Sequence, residues 1–215
     1  HYFNPVRYMR LMELVRGEQT KSAVINKLAD FNDRILGKGV VRCSDTPGFL
    51  GNRVGVFALQ VGINEAINCG LSVEEADAIM GRPMGIPKTG VFGLYDLIGI
   101  DLMADVVASL SQILPDGDAF HEVGGYNKLI SSMISDGLIG DKGKGGFYKN
   151  ATEGTKLVLQ IEKGAVASPP NYAQATKLTP EPVELALKAL AARQEPLKPL
   201  IDGKNKSYNN SKGKE

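Results

Sequence analysis

The sequence predicts a mainly α-helical protein in which a short βαβ piece precedes a helical domain. Two short apolar runs, at 10–16 and 40–41, enclose an amphipathic stretch at 20–36, and the links between them are short. From residue 46 onward, apolar residues recur at helical spacing in one segment after another. The chain has 215 residues, 43% of them hydrophobic, so it can bury a substantial core.

The first strand is predicted at 10–16, where the run RLMELVR is short and apolar with a charge at each end. Glu13 lies inside this run. A buried carboxylate without a partner costs several kcal/mol, so we expect Glu13 to be paired. The alternative is an edge strand from which Glu13 faces water.

A helix is predicted from Thr20, a good N-cap, to Leu36, with Gly37 ending it. Its apolar residues are spaced by four, three and four positions, which places them on one face: Val24, Leu28, Phe31 and Ile35.

The longest predicted helix runs from Thr46 to Gly70, with Thr46 as N-cap, Pro47 at the first helical position and Gly70 at the end. Asn52 and Arg53 lie in its first turn, where free N–H groups and a partial positive charge occur. The helix body is therefore expected to pack, and its start is a candidate for chemistry. Alternatively, Asn52 only caps or solvates a turn.

The pattern that follows is helical. A capping box of Ser72 and Glu75 predicts a helix over 73–80, and Asp101 is expected to cap another that Pro115 stops. The apolar face of that later helix is predicted from Leu102, Val106, Leu110 and Ile113. Further helices are expected at 91–98 and 127–135, and a loop at 116–125 in which His121 is exposed.

The last part of the chain has a different composition. A strand is predicted at 155–161, a proline-bearing linker at 164–182, a helix at 181–193 and a disordered tail at 202–215.

Composition excludes several classes of function. The formal net charge of +1 gives no field that would attract nucleic acid or an acidic membrane. No apolar run approaches about 18 residues, so no membrane span is expected. Cys43 and Cys69 fit neither a metal site nor a disulfide framework, which favours free thiols in a reducing, cytoplasmic compartment. No metal site is predicted.

Three segments resemble the 3-hydroxyacyl-CoA dehydrogenase family. HYFNPVRYMRLMELV, at 1–15, is similar to its histidine-aromatic-Phe-Asn-Pro motif with a glutamate twelve residues later. DTPGFLGNR, at 45–53, resembles the start of its helical domain, and GDKGKGGFYK, at 140–149, resembles its ending. Their order and spacing agree with the family across about residues 1–149.

The resemblance implies roles for three residues. His1 would be the base that takes the proton from the 3-hydroxyl group, and Glu13 would orient and stabilise its imidazole. Asn52 would help to position the reacting groups. The residue types suit alcohol oxidation, because a histidine can accept a proton near neutral pH and a carboxylate stabilises the imidazolium that forms.

The resemblance also implies a fold and a cofactor. The expected fold is a helical C-terminal dehydrogenase domain, similar to that of 6-phosphogluconate dehydrogenase, preceded by the last βαβ piece of a truncated Rossmann domain. NAD would be the cofactor, with its binding residues expected upstream of His1, because no G-x-G-x-x-G turn occurs in the chain. The expected divisions are a Rossmann remnant at 1–45, the helical substrate-binding and dimerisation domain at 46–149, an unassigned part at 150–201 and the tail at 202–215.

The expected function is that of a fragment of an enzyme that oxidises (S)-3-hydroxyacyl-CoA to 3-oxoacyl-CoA with NAD in fatty-acid β-oxidation, the fragment alone being inactive. The expected partners are an acyl-CoA substrate, a second copy in a homodimer and, in the parent, a fused enoyl-CoA hydratase module. Two alternatives remain: a hydroxy-acid dehydrogenase acting on a substrate without CoA, and a non-catalytic helical dimerisation module.

Overall fold

The computed structural model describes residues 1–125, 127–151, 154–162 and 164–176. The chain forms two compact units. Unit 1 contains His1–Asn64 and Asp101–Asn127, and unit 2 contains Glu65–Ile100 and the described residues from Lys128 onward. The helix predicted at 181–193 and the tail at 202–215 lie outside the described residues.

Helices dominate the described chain, as expected. The helices are α1 (Ser22–Asp30), α2 (Gly51–Asn68), α3 (Val73–Ile79), α4 (Gly90–Ile98), α5 (Ile100–Ile113), α6 (Phe120–Val123) and α7 (Lys128–Ser135). The strands are β1 (Leu11–Val15), β2 (Gly39–Cys43), β3 (Tyr148–Asn150), β4 (Lys156–Leu159), β5 (Ile161–Glu162), β6 (Ala165–Val166) and β7 (Tyr172–Gln174). None of the helices in the described ranges is long and apolar enough to cross a membrane.

The predicted βαβ unit is present in unit 1. Strands β1 and β2 pair in parallel, with Glu13 opposite Val41, and α1 connects them. Met12, Leu14 and Ile25 form the apolar core of this unit. The three middle residues of β1, Met12, Glu13 and Leu14, are buried.

The start and the buried face of α1 differ from the prediction. The N-cap is Lys21, without a side-chain capping bond, while Thr20 belongs to a turn in which its N–H donates to Gly17. The predicted apolar face is exposed, and the helix packs against the apolar core through Ile25 and Ala29 instead. The spacing of apolar residues identifies an apolar face of the helix, but it does not show which face packs against the strands.

The C-terminal end of the first helical segment follows the prediction. After α1, a π-helical turn (Phe31–Ile35) continues the chain, and Gly37 reverses it with a φ of +63°. Glycine adopts this left-handed conformation without steric cost, which explains the end of the helix there.

Helix α2 begins at Gly51, four residues after the predicted first helical position at Pro47. Thr46 and Pro47 precede a turn in which Gly48 has a φ of +75° and Phe49 a φ of +49°, so that a continuous helix cannot pass through them. Its end at Gly70, with a φ of +67°, is confirmed. The buried positions of the helix are Val56, Leu59, Gln60, Gly62, Ile63 and Ala66.

Unit 2 contains the predicted capping box. The Ser72 hydroxyl accepts the N–H of Glu75, and the Glu75 carboxylate accepts the N–H of Ser72, which fixes the start of α3. The core of the unit includes the rings of Phe92 and Phe147, whose centroids are 4.5 Å apart.

A three-stranded antiparallel sheet of unit 2 corrects the predicted linker at 164–182. The predicted strand at 155–161 contains β4, which pairs with both β3 and β7. Strand β7 lies inside the predicted linker, where Tyr172 donates its hydroxyl proton to the Gly146 carbonyl at 2.5 Å. Pairing with a strand distant in sequence overrides the local proline signal here.

The buried face of α5 is displaced from the predicted one. The helix begins at Ile100, so Asp101 lies in its first turn, where its carboxylate accepts the N–H of Leu102. Leu102 and Ile113 are exposed, while the buried residues are Ile100, Met103, Val107 and Leu110. Ile100 precedes the predicted start of the helix, and Met103 and Val107 lie one position after the predicted Leu102 and Val106, so the buried face is rotated relative to the predicted one.

Candidate active site

His1 and Glu13 are held opposite each other by their backbones in unit 1. The nitrogen of His1 donates to the carbonyl of Glu13 at 2.7 Å, and the N–H of Glu13 donates to the carbonyl of His1 at 3.0 Å. Reciprocal bonds of this kind place both side chains on the same face of an antiparallel pair. The side chains meet there, with Nδ1 of His1 2.7 Å from Oε2 of Glu13.

Glu13 is almost completely buried, with 1% of its surface exposed. Its second oxygen, Oε1, accepts the N–H of Leu50 at 2.9 Å and that of Gly51 at 2.5 Å. The edge-strand alternative, in which this carboxylate faces water, is therefore wrong. Both carboxylate oxygens have donors, as a buried carboxylate requires.

Cys43, the last residue of β2, completes the surroundings of the carboxylate. Its Sγ lies 3.7 Å from Oε1 of Glu13. Burial, and then the negative charge of Glu13, raise the pKa of this thiol. A thiol with a raised pKa stays protonated at neutral pH, so Cys43 acts as a weak donor and not as a nucleophile.

The His1 imidazole is partly open to solvent, with 31% of the side chain exposed. The ring of Phe3 lies 4.6 Å and that of Phe49 5.7 Å from it, centroid to centroid. Because an ionised carboxylate can only accept, the hydrogen bond to Glu13 places the proton of the neutral imidazole on Nδ1. Nε2 then carries the free lone pair and can accept a proton from a bound molecule.

Asn52 follows Gly51 in the first turn of α2 and is partly buried. No hydrogen bond of its side chain is found within the described part of the chain. The amide is thus available at the same helix start whose N–H groups bind Glu13, and its positioning role remains a prediction. The neighbouring Arg53 is engaged elsewhere in unit 1, with Nη2 2.6 Å from Asp118.

The sequence did not predict five contributors to this arrangement: the Phe3 and Phe49 rings, the N–H groups of Leu50 and Gly51, and the Cys43 thiol. Phe3 and Phe49 do lie within the motifs HYFNP and DTPGF. Those motifs indicate a family but do not show that two rings from separate segments flank one imidazole.

A second polar cluster, also missed, lies in unit 2. Asp96 accepts the N–H groups of Phe147 and Tyr148 at 2.8 and 2.7 Å, and Asp77 accepts those of Phe92 and Gly93 at 2.8 and 3.0 Å. The Tyr148 hydroxyl donates to Asp77 at 3.0 Å. These bonds fasten α4 and the start of β3, so the cluster is explained as structural.

Burial dominates the titration of this second cluster. It raises the pKa of Asp77 to about 6 and that of Asp96 to about 7, against the lowering effect of the backbone N–H bonds. Burial, and then the charge of Asp77, also raise the pKa of Tyr148. A cleft of about 750 Å³ opens beside the cluster, with Glu74, Lys88 and Lys156 among its lining residues.

The other histidine is exposed, as predicted. Nε2 of His121 lies 2.9 Å from the Pro115 carbonyl oxygen. Within the described ranges, no group of three or more histidine, cysteine, aspartate or glutamate side chains could hold a metal ion.

Comparison with known families agrees with this geometry. Residues 1–46 match the family model described as 3-hydroxyacyl-CoA dehydrogenase, NAD binding domain. Residues 48–150 match the model described as 3-hydroxyacyl-CoA dehydrogenase, C-terminal domain. The two matches adjoin near the turn that joins β2 to α2.

Curated relatives carry names from the same family. A putative fatty acid oxidation complex trifunctional enzyme of Rickettsia prowazekii is 43% identical over 161 residues, which are 75% of this chain and 22% of that protein. A probable 3-hydroxyacyl-CoA dehydrogenase of Bacillus subtilis is 33% identical over 201 residues, 94% of this chain and 24% of the relative. The chain thus spans about a quarter or less of these two relatives.

Among solved structures, FadB2 of M. tuberculosis is similar, with a TM-score of 0.58 and 30% identity over 70% of this chain and 51% of that one. The (S)-3-hydroxybutyryl-CoA dehydrogenase PaaH1 of Ralstonia eutropha gives a TM-score of 0.54 and 30% identity, covering 66% of this chain and 48% of that chain.

Proposed function

The chain belongs to the 3-hydroxyacyl-CoA dehydrogenase family, and on that premise we propose that it carries the proton-transfer residues of an enzyme that oxidises (S)-3-hydroxyacyl-CoA to 3-oxoacyl-CoA with NAD. The observation that carries the proposal is the 2.7 Å contact between Nδ1 of His1 and the buried carboxylate of Glu13. This contact leaves Nε2 free to act as a base, which alcohol oxidation requires.

NAD, when bound, accepts the hydride that leaves C3 of the substrate. The G-x-G-x-x-G turn that would hold its pyrophosphate does not occur in these 215 residues, so none of them is assigned to the cofactor. The residues present supply acid–base chemistry.

In the oxidative direction, Nε2 of His1 accepts the proton of the 3-hydroxyl group. The ring then carries a positive charge, and the Glu13 carboxylate on Nδ1 stabilises it while holding the ring in place. The N–H groups of Leu50 and Gly51 bind Oε1 of Glu13, which leaves Oε2 directed at His1. In the reductive direction the imidazolium returns the proton to the oxygen of the 3-oxoacyl group.

Asn52 is proposed as the residue that positions the reacting groups. Asn52 is the next residue after Gly51, whose N–H donates to Glu13. The side-chain amide of Asn52 can both donate and accept hydrogen bonds. The proposed role requires that a substrate oxygen held by this amide lie within hydrogen-bonding distance of Nε2 of His1.

A role in fatty-acid β-oxidation, with a fused enoyl-CoA hydratase module, is supported by the name of the Rickettsia prowazekii relative, a putative fatty acid oxidation complex trifunctional enzyme. We further infer a homodimer, because large apolar residues are exposed around the start of α2: Val54 in its first turn and Leu50 just before it. A cytoplasmic location is proposed from the unpaired thiols Cys43 and Cys69, which suit a reducing compartment.

The proposal is tested by assaying the full-length protein for NADH-dependent reduction of acetoacetyl-CoA. We expect loss of NADH absorbance that depends on the thioester substrate. A folded full-length protein that oxidises no NADH with acetoacetyl-CoA or longer 3-oxoacyl-CoA substrates would contradict it.

A further inference from the structure

Phe49 has a backbone conformation that phenylalanine rarely adopts. Its φ is +49°, and it is the one non-glycine residue with a positive φ in the ranges that the structure describes. A bulky side chain is disfavoured in this left-handed region, so surrounding contacts must hold it there. Such outliers are common at sites where backbone groups have to be aimed.

The conformation of Phe49 aims two N–H groups at one atom. Gly48 and Phe49 are consecutive left-handed residues, and the two N–H groups that follow, those of Leu50 and Gly51, both donate to Oε1 of Glu13. Consecutive N–H groups in such a turn form a concave anion-binding surface. Here the anion is a carboxylate of the same chain.

The sequence shows what the backbone would do without this turn. Thr46 and Pro47 are good helix-starting residues, and a helix beginning there would run straight through Phe49. Its N–H groups beyond the first turn would then bond to carbonyls four residues earlier. The left-handed pair therefore delays the helix until Gly51 and leaves the N–H groups of Leu50 and Gly51 for Glu13.

The side chain of Phe49 completes the arrangement. Its ring is partly buried and lies 5.7 Å from the His1 imidazole at an interplanar angle of 53°. Phe3 lies 4.6 Å from the same imidazole at 54°. Two tilted aromatic contacts restrict the orientation of the imidazole that Glu13 binds.

We propose that Phe49 is a positioning residue, whose left-handed backbone aims the Leu50 and Gly51 N–H groups at Glu13 while its ring orients the His1 imidazole. Its catalytic importance rests on the proposed dehydrogenase function. The positioning itself is a statement about this chain and can be tested without any substrate.

The direct test is proton NMR of the ¹⁵N-histidine-labelled chain of 215 residues. An imidazole Nδ1 proton held by a carboxylate resonates far downfield of the amides, and only His1 and His121 can produce a histidine signal. The signal is expected in the wild type and in His121→Gln, which assigns it to His1, and it should disappear in Glu13→Gln.

The decisive variant is Phe49→Leu, which removes the ring but keeps a side chain that disfavours positive φ. We expect the downfield signal to be lost, and amide exchange at Leu50 and Gly51 to become at least about tenfold faster. Phe49→Tyr retains the ring and should restore both observations. Phe57→Leu, the same substitution within α2, is the matched control and should resemble the wild type.

A second variant guards against misfolding. If Phe49→Leu does not fold, Phe49→Gly replaces it, because glycine accepts the left-handed conformation without strain while lacking the ring. The proposal then predicts loss of the downfield signal in folded Phe49→Gly. A signal unchanged from the Phe57→Leu control in the folded variant would overturn the positioning role.

Kinetics of the full-length protein separate this inference from the proposed function. For Phe49→Leu we expect kcat to fall by about 10- to 100-fold, with KM within about twofold of the wild type. A wild-type protein without dehydrogenase activity would overturn the proposed function but leave the NMR result valid. An unchanged kcat together with a lost imidazole signal would overturn the catalytic importance of Phe49.

Discussion

Asp96 and Tyr148 are joined by a hydrogen bond of 2.7 Å, from the backbone N–H of Tyr148 to Oδ2 of a carboxylate that is only 4% exposed. The other oxygen of Asp96 accepts the N–H of Phe147. One side chain at the end of α4 therefore satisfies two consecutive backbone donors 51 and 52 residues away in sequence. These two hydrogen bonds hold the start of β3, a strand of the three-stranded sheet of unit 2.

Replacing Asp96 with asparagine should destabilise the fold. The amide has one accepting oxygen where the carboxyl group has two, so one N–H, from Phe147 or Tyr148, loses its partner. We expect a loss of about 1–3 kcal/mol in the free energy of unfolding at pH 5, measured with urea, because the Asp96 carboxyl is neutral there and carries no charge penalty for its burial. Asp105→Asn, on the exposed side of α5, should stay within about 0.5 kcal/mol of the wild type; an Asp96→Asn protein as stable as this control would refute the argument.

The pH dependence of stability should carry the signature of the buried aspartates. Burial raises the pKa of Asp77 to about 6 and of Asp96 to about 7, so the folded state binds protons that the unfolded state has released. Their contribution to stability is therefore complete below about pH 4 and is lost as the pH rises through 6 and 7.

The corresponding measurement is a series of urea titrations between pH 4 and pH 8. Each aspartate should contribute a downward slope of up to about 1.4 kcal/mol per pH unit within its window. Asp96→Asn should flatten the part of the curve near pH 7, whereas Asp105→Asn should not. An Asp96→Asn curve parallel to the wild type would contradict the raised pKa of Asp96.

Gly55 offers a stabilising substitution in α2. A Cβ added there meets no atom within 4 Å, and glycine within a helix costs conformational entropy. We expect Gly55→Ala to raise the free energy of unfolding by about 0.5–1 kcal/mol. Gly81→Ala is the contrasting variant, because its Cβ would lie 2.9 Å from the Asp77 carbonyl oxygen and should destabilise. Equal effects of the two changes would show that local space does not decide the outcome.

Substrate choice tests the alternative of a hydroxy-acid dehydrogenase. If the family's chemistry applies, the full-length protein should oxidise 3-hydroxybutyryl-CoA with NAD and show at least about 100-fold lower kcat/KM with free 3-hydroxybutyrate, because binding energy from the remote CoA portion contributes to rate. The matched comparison is the same enzyme preparation with the two substrates. Comparable kcat/KM values would favour the substrate without CoA.

Local signals in the sequence predicted much of the fold. Features that depend only on neighbouring residues were predicted correctly. They are the capping box of Ser72 and Glu75, the helix ends at Gly37 and Gly70, and the strand around Glu13. The contact between His1 and Glu13 is also observed. The family motif implied this contact, and a carboxylate in an apolar strand requires a partner.

Features that depend on distant partners escaped prediction. The sequence predicts that α2 starts at Thr46, whereas it starts at Gly51, because the left-handed conformation of Phe49 contradicts the intrinsic preference of phenylalanine. Strand β7 was hidden in a proline-bearing segment, since its pairing with β4 is not a local property. Asp77 and Asp96 of unit 2 bind backbone N–H groups. Every residue type except proline has such a group, so the sequence does not show which ones these carboxylates bind.

The most direct test of the account is the turnover of Glu13→Gln in the full-length protein, measured as acetoacetyl-CoA reduction by NADH with His121→Gln as the matched control. Glutamine keeps the size of the side chain but cannot stabilise an imidazolium on Nδ1 of His1, so we expect kcat to fall by about 10²–10⁴-fold, with His1→Gln at least as impaired. A folded Glu13→Gln enzyme with kcat within about threefold of the His121→Gln control would contradict the central claim that His1 acts as a base held by Glu13.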